Sequence, residues 1–250
     1  MEVQKGDTIA VWFSCGAASA CAAKLTIEQY PHCNVRVLNN PVKEEDEDNR
    51  RFLRDVEQWI GQDIEIVTNP DYPSCSAIDV WDQRNYMAGN AGAPCTVELK
   101  KKARQRWERE NKYDHCVLGF TVEEKGRHDR FTTTERDLLP VLIDAGMDKQ
   151  DCYNMIVAAG IKPPRMYRWG YPNANCIGCV KATSPTYWNH VRQVHPDVFQ
   201  ARAEQSRRIG AKLARYKGQR IHLDELPDDA KGRPLKSMDI DCGSFCEEID

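Results

Sequence analysis

Short apolar runs alternate with longer segments of helical spacing over the first half of the chain. The runs predict strands at residues 8–13, 34–39, 63–67 and 115–120, and the spacing predicts helices at 17–30, 44–59, 78–86 and 96–111. Strands that alternate with helices indicate an α/β fold with a doubly wound, mostly parallel sheet. Ligands of such sheets bind beyond the carboxyl ends of the strands, so the loops after Phe13 and Phe120 form the expected binding edge.

The second half of the chain, from Pro140 onward, reads as a series of helices and loops. Helices are predicted at 149–159, 185–195 and 197–216. Residues 217–250 are polar, contain Gly and Pro and end in a cysteine pair, which predicts a mobile tail. The predicted organisation is an α/β domain at 1–145, a helical region at 146–216 and a C-terminal tail at 217–250.

The composition is that of an ordinary globular protein. A chain of 250 residues can bury one sizeable core and carry a small appended region. Hydrophobic residues at 41% and charged residues at 29% exclude an intrinsically disordered protein. The formal net charge of -3 gives no basic excess, so a nucleic-acid partner is not required. The polar N-terminal residues and the absence of a long apolar stretch predict a cytoplasmic protein without a membrane span.

A loop of small residues between the first strand and the first helix has the pattern of an anion-binding turn. Consecutive backbone N–H groups and two hydroxyls at a helix N-terminus can hold phosphate. No Lys-Ser or Lys-Thr pair follows, so the loop is not the GxxxxGKS/T loop of common ATPases. An ordinary strand-to-helix turn is the alternative. The candidate nucleotide-binding residues are Ser14, Cys15, Gly16, Ala17, Ala18 and Ser19.

A second candidate segment follows the fourth predicted strand. An arginine side chain suits oxyanion binding because its planar fork makes bidentate contacts. A cluster of arginine and glutamate is also typical of a solvated, ion-paired face, and that alternative stays open. The candidate nucleotide-binding residues here are Gly119, Thr121, Glu124, Arg127 and Arg130.

The chain has eleven cysteines, which do not indicate a disulfide framework because the predicted compartment, the cytoplasm, keeps thiols reduced. Cys176 and Cys179 form a CxxC pair, whose spacing lets two thiolates converge on one metal or cluster. Together with His190 and His195 the pair approximates a zinc-finger spacing, so zinc is the competing metal. A buried apolar cysteine pair is the third option. The cysteines predicted to be core thiols are Cys21, Cys33, Cys116 and Cys152.

The loop at residues 14–19 resembles the S-G-G-x-x-S loop of the PP-loop pyrophosphatase superfamily, with Cys15 in place of the first glycine. Residues 119–124 with Arg127 and Arg130, and the proline-led segment 139–144, resemble the phosphoadenylyl-sulfate (PAPS) reductase family of that superfamily. The resemblance implies an adenine nucleotide alpha hydrolase-like fold and an adenosine nucleotide as substrate.

The cysteine arrangement resembles the iron-sulfur branch of the same family, the adenylyl-sulfate (APS) reductases. There a Cys-Cys pair followed by a basic helix joins a later CxxC around a 4Fe-4S cluster, which implies Cys95, Cys176 and Cys179 as ligands here. Only one cysteine of that pair is present, and Pro94 occupies the place of the other. The fourth ligand is therefore open between an iron that binds sulfur or substrate directly and one of the cysteines Cys246, Cys242 and Cys75.

The tail around Cys242 resembles the E-C-G-L-H motif of the reductases, whose cysteine attacks the sulfur of the activated sulfate. The resemblance implies that Cys242 forms a covalent S-sulfo intermediate, which a thioredoxin- or glutaredoxin-like partner then reduces. Phe245 replaces the histidine of the motif. Cys246 is a second candidate catalytic thiol, able to resolve a disulfide with Cys242 or to complete the cluster.

Three functions follow as hypotheses. The first is thiol-dependent reduction of PAPS or APS to sulfite and a nucleoside phosphate. The alternative is an ATP-dependent PP-loop sulfurtransferase that thiolates a nucleic acid or a small molecule with an iron-sulfur cluster, and only this hypothesis calls for a nucleic-acid partner. The third is a zinc-stabilised interaction module. The oligomeric state is open, and a homo-oligomer is one option.

Overall fold

The computed structural model describes residues 2–89, 92–133 and 137–235. The chain forms two compact units, each assembled from separate stretches of sequence. Unit 1 takes its described residues from Met1–Pro41, Glu47–Val67 and Ala103–Arg165. Unit 2 takes its described residues from Val42–Asp46, Thr68–Lys102 and Met166–Asp250. The predicted division into three consecutive segments stays a prediction about domains.

Unit 1 is built on a five-stranded sheet. The strands are β1 (Thr8–Trp12), β2 (Asn34–Asn39), β3 (Glu65–Ile66), β4 (His115–Val117) and β5 (Leu138–Leu139). Their order is β3-β2-β1-β4-β5, and every neighbouring pair is parallel. The predicted α/β fold with a parallel sheet is confirmed. β1 is the central strand, so the loop that begins at Ser14, just after its carboxyl end, lies at the middle of the sheet edge.

The helices of unit 1 pack on the sheet through apolar or small residues. They are α1 (Ala17–Gln29), α2 (Asp48–Ile60), α4 (Lys102–Glu110, of which Lys102 belongs to unit 2), α5 (Lys125–Phe131), α6 (Val141–Asp144) and α7 (Lys149–Ala158). In α1 the buried face consists of small residues, which lets it pack closely against α6 and α7. Cys21 and Cys152, both predicted as core thiols, are buried, and the Cys21 thiol donates to the Cys152 carbonyl at 3.4 Å. In α2 the buried residues Phe52, Val56 and Ile60 recur every fourth position.

Unit 2 has a core of large aromatic and aliphatic side chains. Its helices are α3 (Ala77–Arg84), a π-helix (Thr96–Lys101), α8 (Arg165–Arg168, of which Arg165 belongs to unit 1), α9 (Pro185–Val194) and α10 (Pro196–Ile209). Trp81, Tyr187 and Trp188 are almost fully buried. Proline stands at the first position of both α9 and α10, where its missing N–H costs nothing. The helix predicted at 96–111 is present from Thr96 to Glu110, but its first six residues form a π-helix, which continues directly into α4.

The helix predicted to run to residue 216 ends at Ile209. Gly210 adopts the left-handed conformation that terminates it. Strand β6 (Ala214–Tyr216) then pairs antiparallel with β7 (Gln219–Ile221) around a two-residue turn. Residues 217–235 are therefore folded and not a tail, and they bury Leu223, Leu226 and Ala230. Residues 236–250, with Cys242 and Cys246, lie outside the described residues.

No helix among the described residues combines the length and the apolar character that a membrane crossing needs.

Candidate nucleotide loop and thiol site

The loop after β1 turns sharply at Cys15. Cys15 has a φ of 58°, in the left-handed region that glycine prefers, and its side chain is buried. The Asn39 side-chain amide donates to the Phe13 carbonyl at 2.8 Å and approaches the Cys15 sulfur at 3.6 Å. The cysteine thus takes a backbone conformation that glycine adopts more easily. The end of β2 holds that conformation in place.

Hydrogen bonds of the Ser14 and Ser19 hydroxyls connect the two ends of the loop. The Ser14 backbone N–H donates to the Ser19 hydroxyl at 3.1 Å, and the two serine hydroxyls lie 3.2 Å apart. The Ser19 hydroxyl donates in turn to the Gly16 carbonyl at 3.0 Å. Gly16 is the N-cap of α1 and has no side chain with which to cap the first-turn N–H groups. The loop therefore presents the N-terminus of a 13-residue helix to an anion.

Gly119 brings the second predicted segment against this loop. A Cβ atom at Gly119 would lie 2.7 Å from the Ser19 backbone nitrogen and 2.8 Å from its Cα. Only a residue without a side chain fits there. The structure therefore brings together the two segments of unit 1 that the sequence predicts to bind nucleotide.

The predicted arginine cluster is ion-paired. Arg127 bonds the Glu124 carboxylate at 3.2 Å and lies over the Phe120 ring at 5.0 Å from its centroid. The Lys149 ammonium lies 3.9 Å from the same carboxylate. Thr121 is fully buried and forms a capping box with Glu124, whereas Arg130 is exposed. This arrangement is typical of an ion-paired face, which is the alternative to oxyanion binding for this segment. Of its two arginines, Arg130 is the more exposed to solvent.

The CxxC pair lies in a tight turn in the core of unit 2. Cys176 and Cys179 are buried, and Gly178 between them has a φ of 68°. The Cys179 backbone N–H donates to the Tyr187 hydroxyl at 2.7 Å. The Ile177 N–H donates to the Glu44 carbonyl at 3.0 Å. These backbone bonds fix the turn, so both sulfurs have a defined position.

Cys95 packs against the same hydrophobic core as the CxxC pair. It is half-buried and directly precedes the π-helix, a rare element that often marks functional sites. Within that helix the Lys100 ammonium is buried and paired with the Glu45 carboxylate at 3.2 Å. The basic segment after Cys95 thus directs at least one cation into unit 2.

Cys75 and the CxxC turn are both hydrogen-bonded to the segment Lys43–Glu44. The Cys75 carbonyl accepts from the Lys43 N–H at 2.9 Å, and the next residue, Glu44, bonds Ile177. Burial and the nearby Glu44 carboxylate raise the pKa of the Cys75 thiol. As a candidate fourth ligand it is therefore close to the CxxC pair, but it favours the neutral thiol.

No three His, Cys, Asp or Glu side chains of the described residues are arranged to hold one metal ion. The zinc-like set is thus not gathered on one ion, and His190 and His195 instead lie within 4.7 and 6.0 Å of the Tyr171 ring, centroid to centroid. The finding concerns a single ion, whereas the thiolates of a 4Fe-4S cluster each bind a different iron and lie farther apart. The donor set of Cys95, Cys176 and Cys179 fits such a cluster in its chemistry, because it offers soft sulfur ligands, two of them buried and one half-buried.

Several residues of these sites are not apparent from the sequence. Asn39 could have been found, because it ends a predicted strand at the ligand edge. Glu44, Tyr187 and Arg202 lie at the CxxC turn only through tertiary packing, and no local pattern distinguishes them. Cys33 is half-exposed and precedes β2, so it is not the core thiol predicted.

Comparisons with known proteins give a likeness of fold only. No family profile matches the chain, and no curated protein matches it either. Among solved structures, the chain is similar to the U34-tRNA thiolase NcsA from Methanococcus maripaludis, solved with its 4Fe-4S cluster. The identity is 12% and the TM-score 0.49, over 98% of this chain and 84% of that one.

Proposed function

We propose that the chain is an ATP-dependent sulfurtransferase in which unit 1 binds the nucleotide and unit 2 holds a 4Fe-4S cluster through Cys95, Cys176 and Cys179. The observation that carries the proposal is that Cys176 and Cys179 belong to one hydrophobic core and that Cys95 packs against that same core. Three thiolates on a four-iron cluster leave one iron without a protein ligand. A cluster held by these three cysteines would thus have a position open to a non-protein ligand such as inorganic sulfide.

The nucleotide half of the reaction follows from the loop at residues 14–19. The N-terminus of α1 and the hydroxyls of Ser14 and Ser19 suit the phosphates of ATP. A carbonyl oxygen of the acceptor attacks the α-phosphorus, and pyrophosphate leaves. Sulfide then attacks the activated carbon, and AMP departs with the oxygen, so that C=O becomes C=S. The cluster supplies the sulfide when it is bound.

The reductase hypothesis depends on Cys242, which lies outside the described residues. Its cluster also calls for four protein thiolates, and Pro94 stands where the other cysteine of the pair would be. Sulfur transfer uses the open position, which makes it the better use of a three-cysteine set. PAPS or APS reduction is therefore the competing outcome of the test.

The test uses the full chain, purified and reconstituted without oxygen. We expect iron and sulfide bound to the wild type, and AMP and pyrophosphate released from ATP only with an acceptor, tried as bulk tRNA, DNA or small molecules. Labelled sulfur should appear in the acceptor. Cys95→Ser and Cys176→Ser should lose the cluster, whereas Cys33→Ser, in a half-exposed thiol of unit 1, should keep it. Sulfite release from PAPS or APS that is lost in Cys242→Ala, with no ATP turnover, would overturn the proposal.

A further inference from the structure

A buried arginine lies directly behind the CxxC turn. Arg202, on α10, is only 3% exposed. Its Nε lies 3.7 Å from the place that a Cβ atom on Gly178 would occupy. The guanidinium therefore packs against the backbone that joins Cys176 to Cys179, within unit 2.

The contacts of Arg202 leave part of its charge uncompensated. One terminal nitrogen donates to the Gln205 side chain at 3.0 Å, and the guanidinium stacks over the Trp81 ring at 4.4 Å from its centroid. Its Nε–H has no hydrogen-bond partner among the described residues. The carboxylate of Glu44, also in this neighbourhood, accepts from the Ser76 hydroxyl and the Ala77 N–H at 2.7 Å each. No carboxylate of the described residues bonds the guanidinium.

A buried cation without a paired anion is costly. Burial lowers the pKa of Arg202, while Glu44 and then Cys176 act in the opposite direction. Arginine keeps its proton in proteins, so the charge stays in the core and requires an anion. Cys176 and Cys179 are the residues of the turn whose side chains can become anionic, and they do so when they bind metal.

We propose that Arg202 is a positioning residue whose guanidinium compensates the negative charge of a thiolate-held cluster at Cys176 and Cys179. A 4Fe-4S core on three thiolates is a net anion, and more so when it carries sulfide. The inference rests on the proposed function for the presence of the cluster. It predicts that the cation favours addition of an electron to the cluster and slows loss of iron.

The experiment compares reconstituted wild type with Arg202→Met, which removes the charge but keeps a long apolar stem. We expect the reduction equilibrium of the cluster to become about tenfold less favourable, or ~59 mV more negative for one electron. Iron loss to a chelator should be about tenfold or more faster. Arg202→Lys should recover much of both. The matched control is Arg207→Met on the same helix, where the side chain is exposed and paired with Asp224, and it should leave both values unchanged.

The folding of each variant is followed by tryptophan fluorescence, because Arg202 stacks on Trp81. If Arg202→Met loses the native spectrum, Arg202→Lys is compared with Arg202→Gln in the same assays. Equal potentials and equal rates of iron loss between charged and neutral residues at this position would overturn the inference. A wild type that binds no iron and sulfide would also overturn it. Acceptor-dependent ATP turnover in the same preparations decides the proposed function separately.

Discussion

A Cβ atom on Gly119 would lie 2.7 Å from the backbone nitrogen of Ser19. No side chain moves out of the way there, because both nearest atoms belong to the backbone of α1. The segment after β4 thereby fixes the first turn of the helix whose N–H groups are expected to hold phosphate.

Gly119→Ala should consequently weaken ATP binding by at least about tenfold, or ~1.4 kcal/mol, and cost about 1–3 kcal/mol of stability through overpacking. Calorimetric titration and thermal unfolding measure the two effects. Gly126→Ala is the matched control, because it lies in α5 with no atom within 4 Å of its Cβ position. Unchanged ATP affinity in Gly119→Ala would argue against nucleotide binding at this loop.

Cys15→Gly should retain ATP binding within about threefold, because glycine adopts a positive φ without strain. Cys15→Val should weaken it by about tenfold or more, since a β-branched residue strongly resists that conformation. Equilibrium dialysis with labelled ATP separates the variants. Loss of sulfur transfer in Cys15→Gly despite normal ATP binding would instead assign a chemical role to the thiol.

Gly178→Ala should lower the affinity of the CxxC site for its metal centre by about 10–100-fold. Its φ is 68° and the added Cβ would lie 3.0 Å from a Val198 methyl, so the turn must shift. Gly210→Ala has a similar φ of 81° with no atom within 4 Å, so it carries the backbone strain alone. Iron and sulfide content after reconstitution is the measurement. Equal iron content in the two variants would show that the turn geometry does not matter for the centre.

Asp48→Asn should destabilise the chain by about 1–2 kcal/mol at neutral pH. Hydrogen bonds from the Arg51 guanidinium, and one from the Arg165 N–H, hold the pKa of Asp48 below its usual range. Since the folded-state pKa is the lower one, the stabilisation is complete above about pH 4 and is lost as the pH falls through the folded-state pKa. Urea unfolding at several pH values measures this. The wild type and the variant should converge in acid, whereas Glu47→Gln, at a carboxylate 85% exposed, should differ little at any pH.

The sequence was informative where apolar runs are long enough to stand out. Residues 8–13 locate β1 because a buried parallel strand favours a continuous apolar run, and residues 34–39 locate β2 because their apolar and polar positions alternate. Strand β5 has only two residues before Pro140, too few to make such a pattern. The hairpin of β6 and β7 could have been predicted from its turn. Lys217 and Gly218 form a two-residue turn with positive φ at both positions, and glycine is typical of such turns.

The two candidate sites also differ in how far the sequence predicts them. The loop at 14–19 could be predicted because its residues are consecutive and follow a strand. The surroundings of Cys176 and Cys179 could not, because Tyr187 and Arg202 reach the turn from two later helices. Tertiary packing alone decides which side chains of α9 and α10 face the turn.

The interleaving of the two units also limits how this protein can be taken apart. No single cut in the chain separates the two complete units, because their stretches alternate along the sequence. A cut at residue 145 divides unit 1, whereas a cut at residue 166 keeps unit 1 whole but leaves Val42–Asp46 and Thr68–Lys102 of unit 2, with Cys95, on the wrong fragment. The two units are thus inherited as one gene product, and neither can be exchanged or removed intact by a single fusion or truncation.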